Sequence, residues 1–356
     1  MKHLTQVLET FLLKKINIDR YLPIQLDITN LCNLRCVHCY HPHHKNEGAI
    51  SLDDWKAILR QYKALINKMH YRASVVICGG EPLTSPYLLP LLEFVKEEMG
   101  EAPVSILTNG TLVSEKLADQ LRTFENLRFQ LSLDGPDSDR HDLIRGAGNF
   151  EKALRGLRIL KSRGFEVNVL AVLSQRTFLW MEDFFRIARA EKFNSMNFVR
   201  FVPEGFGRQL LVTQSDQPLI GSDLKNAFNK MLTLMAEYQV PTKAQGPLSE
   251  LVMAGLGRSG RFWESIVVDY QGFVIASSRS KMRLGHSLTE GLESIFLEHE
   301  IYQSLRRGKV EGCGECSLYS VCGGDRNAAF AANGNFLGRD PGCWKLETNK
   351  SYRRAL

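Results

Sequence analysis

The sequence CNLRCVHC occupies residues 32–39 and brings three cysteines into one short segment with the spacing C-x3-C-x2-C. It follows Ile24–Thr29, a run with alternating apolar residues that predicts a strand. In α/β proteins, ligands bind at the carboxyl ends of parallel strands. We therefore expect Cys32, Cys36 and Cys39 to lie in the loop after the first strand and to form a functional site there.

Short runs rich in Val, Ile, Leu and Phe alternate with longer amphipathic stretches up to residue 202. This alternation is typical of βα units and a parallel sheet, and six units can be counted. The predicted strands are Ile24–Thr29, Ser74–Cys78, Val104–Thr108, Arg128–Leu133, Glu166–Leu173 and Ser195–Val202, and the predicted helices are Leu52–Lys68, Pro86–Met99, Ser114–Thr123, Phe150–Arg163 and Leu179–Glu191. Six units form either a doubly wound sheet or an incomplete barrel, and the pattern alone favours neither.

The chain outside this region differs in composition. Residues 1–22 carry apolar side chains at helical spacing and predict an N-terminal helix. A Gly-, Pro-, Gln- and Ser-rich stretch at 203–221 predicts a linker. The predicted parts are therefore an N-terminal helix at 1–22, the repeated units at 23–202, a linker with helices at 203–262 and a cysteine-rich domain at 263–356.

The C-terminal third is short and irregular. Helices are predicted at Asp223–Tyr238 and Leu248–Leu256, and Ile266–Ala276 reads as a hairpin that turns at Gln271-Gly272. Residues 312–343 are rich in loops and cysteines. Because so small a region buries little apolar surface, we expect a further element, such as a metal centre, to hold it together.

The overall composition excludes several classes of protein. The 356 residues include 45 Lys+Arg and 39 Asp+Glu, and the resulting net charge of +6 is spread along the chain, so no nucleic-acid partner is expected. No apolar run approaches the roughly 18 residues of a membrane helix, and the start lacks a secretion signal. We expect a soluble, cytoplasmic protein, in which eight cysteines indicate metal ligation or catalysis rather than disulfides.

Three thiolates in one loop can hold three corners of an iron–sulfur cube and leave the fourth iron open for chemistry. A structural zinc site takes four ligands, so zinc would need a fourth from a nearby histidine. The available histidines are His38, His41, His43 and His44, and the last three also fit a solvent-facing polar loop. The spacing alone leaves both interpretations open.

A second signal follows the second predicted strand, in the sequence CGGEP at residues 78–82. Gly79 and Gly80 would let the backbone approach a ligand closely, and the Glu81 carboxylate could receive an ammonium group. A glycine turn closed by proline is the simpler structural explanation.

Together, CNLRCVHC at 32–39 and GGEP at 79–82 resemble the radical S-adenosylmethionine (SAM) superfamily. Three further segments support the resemblance: TNG at 108–110, LSLDG at 131–135, and the dipeptide HD at 141–142 that leads to Arg145 and Gly146. The segments fall in order over residues 24–202. The resemblance implies an α/β fold with a partial (β/α)6 TIM-like barrel, and so decides between the two architectures.

The resemblance also implies roles for individual residues. Cys32, Cys36 and Cys39 would ligate a [4Fe–4S] cluster whose open iron chelates the methionine amine and carboxylate of SAM. The implied SAM contacts are Gly79, Gly80 and Glu81 at the methionine amine, Arg145 at its carboxylate, Ser132 and Asp134 at the ribose, His38 and Tyr40 at the adenine, and Asn109 at the barrel mouth. Strand-end capping is the alternative for Ser132 and Asp134, and shaping of the mouth is the alternative for Asn109.

A second set of cysteines lies near the C-terminus: Cys313, Cys316, Cys322 and Cys343. Four thiolates make a closed site that suits zinc or a saturated iron–sulfur cluster equally. Their arrangement resembles the SPASM extension of radical SAM enzymes, which implies an auxiliary [4Fe–4S] cluster. The cysteines of a second auxiliary cluster are missing, since residues 276–278 are Ala-Ser-Ser and Arg326 stands near the downstream position. Two [4Fe–4S] clusters in total are therefore expected.

Two residues are left without an assigned contact. Cys78 is the eighth cysteine, and packing as a small apolar side chain is its ordinary role. Alternatively, the Cys78 thiol could donate a hydrogen atom to a substrate radical. Arg200 could anchor a substrate carboxylate or pair with Glu204.

The resemblance implies reductive cleavage of SAM to a 5′-deoxyadenosyl radical that abstracts hydrogen from a substrate. Most SPASM relatives crosslink, epimerise or oxidise ribosomally made peptides, which makes a peptide the predicted substrate, with a sugar or aminoglycoside as the alternative. Only 31 residues precede Cys32, too few for the leader-binding domain of some peptide maturases, so a peptide would need either a separate leader-binding protein or direct capture in the barrel. An electron donor such as flavodoxin or ferredoxin is also implied. A non-catalytic iron–sulfur or zinc protein is the remaining alternative.

Overall fold

The structure, a computed structural model, describes residues 20–41, 45–253 and 262–346. The predicted N-terminal helix falls almost entirely on residues 1–19, outside the described residues, and so do His43 and His44. Of that predicted helix, Tyr21 and Leu22 are described and belong to a strand. The division of the chain into four parts stays a prediction.

The described residues form one ten-stranded sheet with the order β10-β9-β8-β1-β2-β3-β4-β5-β6-β7. The strands are β1 Tyr21–Asp27, β2 Arg72–Cys78, β3 Val104–Thr108, β4 Leu127–Ser132, β5 Glu166–Leu173, β6 Ser195–Arg200, β7 Ala244–Gln245, β8 Ile266–Val268, β9 Phe273–Ile275 and β10 Arg283–His286. Neighbours from β8 through β1 to β7 are parallel, whereas β9 and β10 pair antiparallel. All six predicted strands and the predicted hairpin are confirmed.

Helices follow most strands, as the βα pattern requires. They are α1 Leu52–Met69, α2 Leu88–Met99, α3 Glu115–Leu121, α4 Ser138–Arg145, α5 Asn149–Ser162, α6 Gln175–Leu179, α7 Met181–Ala190, α8 Gly207–Val212, α9 Gly221–Tyr238, α10 Glu250–Met253, α11 Leu292–Glu298, α12 Glu300–Arg306 and α13 Arg326–Asn333. The short helix α8 lies within the predicted linker at 203–221. An ion pair of Glu204 with Arg208, 2.8 Å long, stabilises its first turn.

A hydrogen bond between two glutamines shows which face of the sheet is the barrel lumen. Gln245 Nε2 on β7 donates to Gln130 Oε1 on β4 at 2.8 Å, although β5 and β6 lie between these strands in the sheet. The sheet therefore curves, and this bond crosses its concave side. Strand register places further polar side chains on the same side: Gln25, Asp27, Ser105, Ser132, Asn168, Ser195 and Asn197.

The convex side of the sheet is apolar. Ile24 and Leu26 of β1 are fully buried, as are Trp55 and Ile58 of α1, and all belong to the same hydrophobic core. Burial of each such side chain stabilises the fold by about 1.5–3 kcal/mol. The polar lumen is thus supported from outside by an apolar shell, which is the partial TIM-like barrel expected from the sequence.

The C-terminal region joins the barrel directly. Strand β8 pairs parallel to β1, with Ile24 opposite Ile266. A buried ion pair adds a second link, because Arg200 at the end of β6 binds Asp340 with Nη1–Oδ2 and Nη2–Oδ1 distances of 3.0 and 3.2 Å. The suggested pairing of Arg200 with Glu204 is therefore wrong: Arg200 pairs with Asp340 and Asp325, and Glu204 pairs with Arg208.

This ion pair gives a first testable prediction. Arg200→Met leaves the buried Asp340 carboxylate without its cation, so we expect the free energy of unfolding to fall by about 3–5 kcal/mol. Arg208→Met, which breaks an exposed pair, is the control and should change it by less than about 1 kcal/mol. Anaerobic urea unfolding of both variants measures the difference. Equal effects would contradict the assigned role of Arg200.

Among the described residues, none of the helices has the length and apolar character needed to cross a bilayer.

Candidate active site

The three-cysteine loop leaves the carboxyl end of β1, as predicted. Cys36 is buried, and Cys32 and Cys39 are half-buried. Each sulfur has one nitrogen donor nearby: the Leu34 amide lies 3.4 Å from Cys32 Sγ, the His41 amide 3.4 Å from Cys39 Sγ, and Arg145 Nη1 3.9 Å from Cys36 Sγ. These contacts favour negatively charged sulfurs in the loop.

Burial acts in the opposite direction. It raises the pKa of all three thiols, that of Cys36 to about 11, while the positive charge of Arg145 partly opposes the increase. The free thiols therefore keep their protons at neutral pH, and metal binding must release them. Within the described part of the chain, no three His, Cys, Asp or Glu side chains are arranged to hold a single metal ion.

Asp134, just beyond β4, organises two of the predicted SAM contacts. Its fully buried carboxylate accepts a hydrogen bond from Arg145 Nε at 2.6 Å and lies 2.9 Å from His38 Nε2, and its other oxygen accepts from the Val172 amide at 2.7 Å. Burial alone would raise the pKa of Asp134, but the positive charge of Arg145 and the hydrogen bond from His38 hold the pKa of that carboxyl well below its usual range. His38 Nδ1 is buried and has no hydrogen-bond partner among the described residues, so this atom is available to a ligand.

The sequence pattern did not show how Arg145 reaches this position. It ends α4, a helix with the polar sequence SDRHDLIR, whose first turn is capped by the Asp137 carboxylate accepting from the Arg140 amide at 3.0 Å. The apolar period is too weak to indicate a helix. The Asp137 cap and the glycine at 146, which follows with φ of 95°, are the signals that could have revealed it.

Glu81 connects the ends of β2 and β3. Its carboxylate accepts hydrogen bonds from Thr108 Oγ1 at 2.7 Å and from the Asn109 and Leu83 amides at 2.8 and 3.2 Å. Asn109 Nδ2 in turn donates to Asn33 Oδ1 in the cysteine loop at 2.9 Å. Burial raises the pKa of Glu81, although these hydrogen bonds partly offset the increase. Glu81 and Asn109, both predicted SAM contacts, thus also hold the cysteine loop in place through Asn33.

Gly79 and Gly80 allow close packing against that loop. Gly79 has φ of 127°, and a Cβ there would lie 2.2 Å from the Thr29 carbonyl oxygen. A Cβ at Gly80 would lie equally close to the Leu31 carbonyl oxygen. The two glycines therefore pack closely against the backbone of residues 29–31. This contact positions the cysteine loop that follows.

A second polar cluster lies at the lumen mouth, and sequence analysis singled out only two of its members. Asp27 and Cys78 are opposite each other in register, and Lys281 reaches them from the loop between β9 and β10, with Nζ 3.9 Å from Asp27 Oδ2. Lys281 Nζ also lies 5.5 Å from the Tyr40 ring centre. Tyr40 and His38 therefore have different neighbours. Asp27 could have been found from the sequence, because it is a charged residue at the end of a buried strand.

Asp27 gives a second prediction. Its buried Oδ2 has no hydrogen-bond partner among the described residues, and burial raises its pKa above 3.8, with Lys281 opposing the increase. A raised pKa in the folded state means that stability is lost as pH rises above 3.8. We therefore expect Asp27→Asn to raise the free energy of unfolding at pH 7 and to match the parent protein near pH 3.

Urea unfolding of both proteins across this pH range measures the effect. The Asp119→Asn variant, which alters an exposed ion pair with Arg163, is the control and should change the free energy of unfolding by less than about 1 kcal/mol. A less stable Asp27→Asn protein at pH 7 would show that Lys281 already compensates the carboxylate.

The C-terminal cysteines come together as predicted. All four line one cavity of about 270 Å³, together with Leu248, Leu251 and Tyr319. The Gly324 amide donates to Cys322 Sγ at 3.4 Å, and Arg326 Nη2 lies 3.6 Å from Cys313 Sγ. Burial raises the pKa of the Cys322 thiol to about 12. The cavity can hold a compact group between the four sulfurs.

Comparison with known proteins adds independent findings. Residues 26–186 match the model of the Radical SAM superfamily. The chain is 27% identical over 339 residues to mycofactocin maturase MftC of Mycobacterium tuberculosis, covering 92% of this chain and 83% of that protein. It is 25% identical over 350 residues to an AdoMet-dependent heme synthase of Methanosarcina barkeri, covering 90% and 95%.

Solved structures show the same fold. SuiB of Streptococcus suis bound to precursor peptide SuiA superposes with a TM-score of 0.68 at 18% identity, covering 96% of this chain and 76% of that one. The enzyme anSMEcpe with bound AdoMet gives a TM-score of 0.71 at 21% identity, covering 93% and 96%. The similarity extends through both the barrel and the cysteine-rich region.

Proposed function

Residues 26–186 form a Radical SAM superfamily domain and the chain is an enzyme of that superfamily, and from this premise we propose that it modifies a ribosomally made peptide. The family implies SAM and one [4Fe–4S] cluster. The observation that carries the proposal is the polar face of the lumen, which carries amide side chains such as Gln25, Gln130 and Asn168 and is formed by the strands from which the cysteine loop and the other strand-end motifs leave.

The first cluster fits the cysteine loop. We assign Cys32, Cys36 and Cys39 as its ligands because each sulfur already has a nitrogen donor, and because Arg145 brings a buried positive charge to a group that three thiolates make negative. When bound, the cluster and SAM supply the 5′-deoxyadenosyl radical. The loop's own task is to hold the three sulfurs and exclude water around them.

For SAM itself, we propose that His38 and Arg145 make direct contacts and that Asp134 positions both. The unpartnered His38 Nδ1 supports this assignment, and His38 and Asp134 line a small pocket with Phe201. Gly79, Gly80, Ser132 and Tyr40 remain proposed contacts, and Glu81 and Asn109 combine a contact with bracing of the loop.

A peptide substrate agrees with the lumen chemistry. Backbone amides need hydrogen-bond donors and acceptors in alternation, and glutamine, asparagine and serine side chains supply both. Gln25 and Gln130 are half-buried, and among the described residues each uses one end of its amide: Gln25 Nε2 donates to Asp27 and Gln130 Oε1 accepts from Gln245. Gln25 Oε1 and Gln130 Nε2 are therefore the acceptor and donor that could meet a peptide. Two similar proteins point the same way, a mycofactocin maturase and SuiB with its bound precursor peptide.

The experiment is co-expression with short peptides encoded near the gene, with and without a separate leader-binding protein, followed by mass spectrometry. We expect loss of two hydrogens or a new crosslink, and no change with the Cys36→Ala chain. Because a heme synthase is also similar, purified enzyme is offered a porphyrin, a sugar and an aminoglycoside in parallel. Unmodified peptides beside SAM-dependent turnover of one of these compounds would overturn the peptide assignment.

Epimerisation is one outcome that a specific observation favours. Burial and the neighbouring Asp27 raise the pKa of Cys78, so its sulfur keeps a hydrogen at the lumen mouth. A protonated thiol is the form that can donate a hydrogen atom. Deuterium uptake into the peptide in heavy water, lost in Cys78→Ser, would support this role.

We also propose that the C-terminal cysteines hold an auxiliary [4Fe–4S] cluster. The shared cavity of about 270 Å³ and the four cysteines that line it support this proposal. Anaerobically reconstituted protein should then contain about eight irons per chain. A content of about four irons with one zinc would make this site a zinc site, and about twelve irons would require further ligands.

Two partners complete the proposal. Reductive cleavage of SAM needs an external electron, which a flavodoxin or ferredoxin would supply, and the peptide would arrive with or without a leader-binding protein. Replacing dithionite with a reduced flavodoxin in the 5′-deoxyadenosine assay tests the first of these.

A further inference from the structure

Arg326 lies at the start of α13 with its side chain completely buried. Its guanidinium donates to three backbone carbonyls: Nε to Gly324 at 3.2 Å, and Nη1 to Phe336 and Gly338 at 3.3 and 2.6 Å. The remaining nitrogen, Nη2, lies 3.6 Å from Cys313 Sγ. The sequence pattern therefore placed this arginine in the right region, and the structure shows that it contacts the cysteine site.

The positive charge of Arg326 has few candidates for compensation. The nearby carboxylates Asp325 and Asp340 are ion-paired with Arg200. Among the described residues, no ion pair to a carboxylate is recorded for Arg326. Of the groups it contacts, the Cys313 sulfur is the one that can become negative.

Asp325 and Asp340 together carry two negative charges against the one of Arg200, so part of the Arg326 charge is offset from a distance. A buried guanidinium without a direct ion pair is still costly, because its hydration is lost. Binding of a metal centre at Cys313 removes the thiol proton and creates an opposing charge in direct contact. The first cysteine loop differs, since Arg145 contacts Cys36 but is also paired with Asp134 at 2.6 Å. Arg326 is thus the cation whose charge depends most directly on an occupied cysteine site.

We propose that Arg326 is the counter-cation of the C-terminal cluster and raises the reduction potential of that cluster. The inference rests on the auxiliary [4Fe–4S] cluster proposed above. Reduction adds one electron and breaks no bond, and a fixed positive charge in a buried site stabilises the reduced form. Hydrogen bonds to the ligand sulfurs also raise the reduction potential of such a cluster. The cluster would therefore accept an electron more readily than four cysteines alone would allow.

The experiment uses the full-length chain with Cys32, Cys36 and Cys39 all replaced by alanine, so that electron paramagnetic resonance reports on the C-terminal cluster alone. We compare arginine, lysine and methionine at position 326 by redox titration. Arg326→Met should lower the midpoint potential, and Arg326→Lys should lower it less because the charge remains. Arg208→Met, an exposed arginine, is the control and should change nothing.

A merely structural role predicts a different result. If Arg326 only ties the three carbonyls together, Arg326→Met would lose stability but keep the parent potential in whatever cluster it retains. A methionine variant with about four irons and an unchanged potential would therefore overturn the inference while leaving the auxiliary cluster in place.

A second measurement covers the case in which the Arg326→Met variant fails to fold. Protein with arginine at position 326, carrying the same three alanines and labelled with ¹⁵N-arginine, should show ¹⁵N hyperfine coupling in pulsed spectra of the reduced C-terminal cluster. Absence of this coupling would contradict the contact. Zinc in place of iron would overturn both the auxiliary cluster and the inference about Arg326. An unchanged potential with about four irons would overturn only the inference about Arg326, so the two failures can be distinguished.

Discussion

Replacing Cys36 with alanine is expected to abolish formation of 5′-deoxyadenosine from SAM. Cys36 is the buried member of the three-cysteine loop, and Arg145 contacts its sulfur. A cluster that uses three protein ligands cannot lose one and keep a stable open iron. The measurement is 5′-deoxyadenosine released by anaerobically reconstituted, dithionite-reduced protein.

The matched control is Cys316→Ala, which removes an exposed cysteine of the C-terminal site. It should reduce the iron content while leaving SAM cleavage in the absence of peptide close to the parent rate. Cys36→Ala should show the reverse, keeping about four irons in the C-terminal site. Parent-level 5′-deoxyadenosine from Cys36→Ala would refute the assignment of the first cluster.

Asp134→Ala is expected to have the next largest effect. The substitution removes the acceptor of Arg145 and His38 and leaves the Arg145 guanidinium buried without a counter-charge. Loss of such a positioning carboxylate typically lowers activity by about 10–100-fold. We expect a loss of this size in 5′-deoxyadenosine formation, together with weaker SAM binding by calorimetry.

Asp119→Ala, which breaks an exposed pair with Arg163, is the control and should leave both measurements unchanged. Asp134→Glu retains the charge and should restore part of the SAM affinity. If Asp134→Ala were merely unstable, its activity per correctly folded molecule, normalised to iron content, would equal that of the parent. That result would limit Asp134 to a structural role.

The sequence predicts the strands of the sheet well for a physical reason. Each strand of a parallel sheet is covered by helices on its convex side, so buried apolar residues recur along runs such as Glu166–Leu173, and these runs are visible without a structure. The first cysteine motif is equally local, because Cys32, Cys36 and Cys39 lie within one short loop, whereas Cys343 is far along the chain from Cys322. Local patterns therefore predicted the strands and the three-cysteine loop, whereas the choice of a barrel over a doubly wound sheet came from the family resemblance.

Long-range contacts were not predictable in this way. Nothing near Arg200 indicates that Asp340 is its partner, and nothing near Asp27 indicates that Lys281 approaches it. Helix α4 escaped notice because its polar sequence has no apolar period, although it carries Arg145. The residues missed are those whose role depends on which strand ends meet in space.

The parallel pairing of β8 with β1 has a consequence for how the protein must be made. The partners Ile24 and Ile266 are separated by most of the chain, so β1 keeps one unpaired edge until synthesis has passed Val268. Such non-local pairing closes late and slowly. On the ribosome the cysteine loop beside β1 therefore stays open on that side during most of translation, and the C-terminal hairpin is the element that finally closes it.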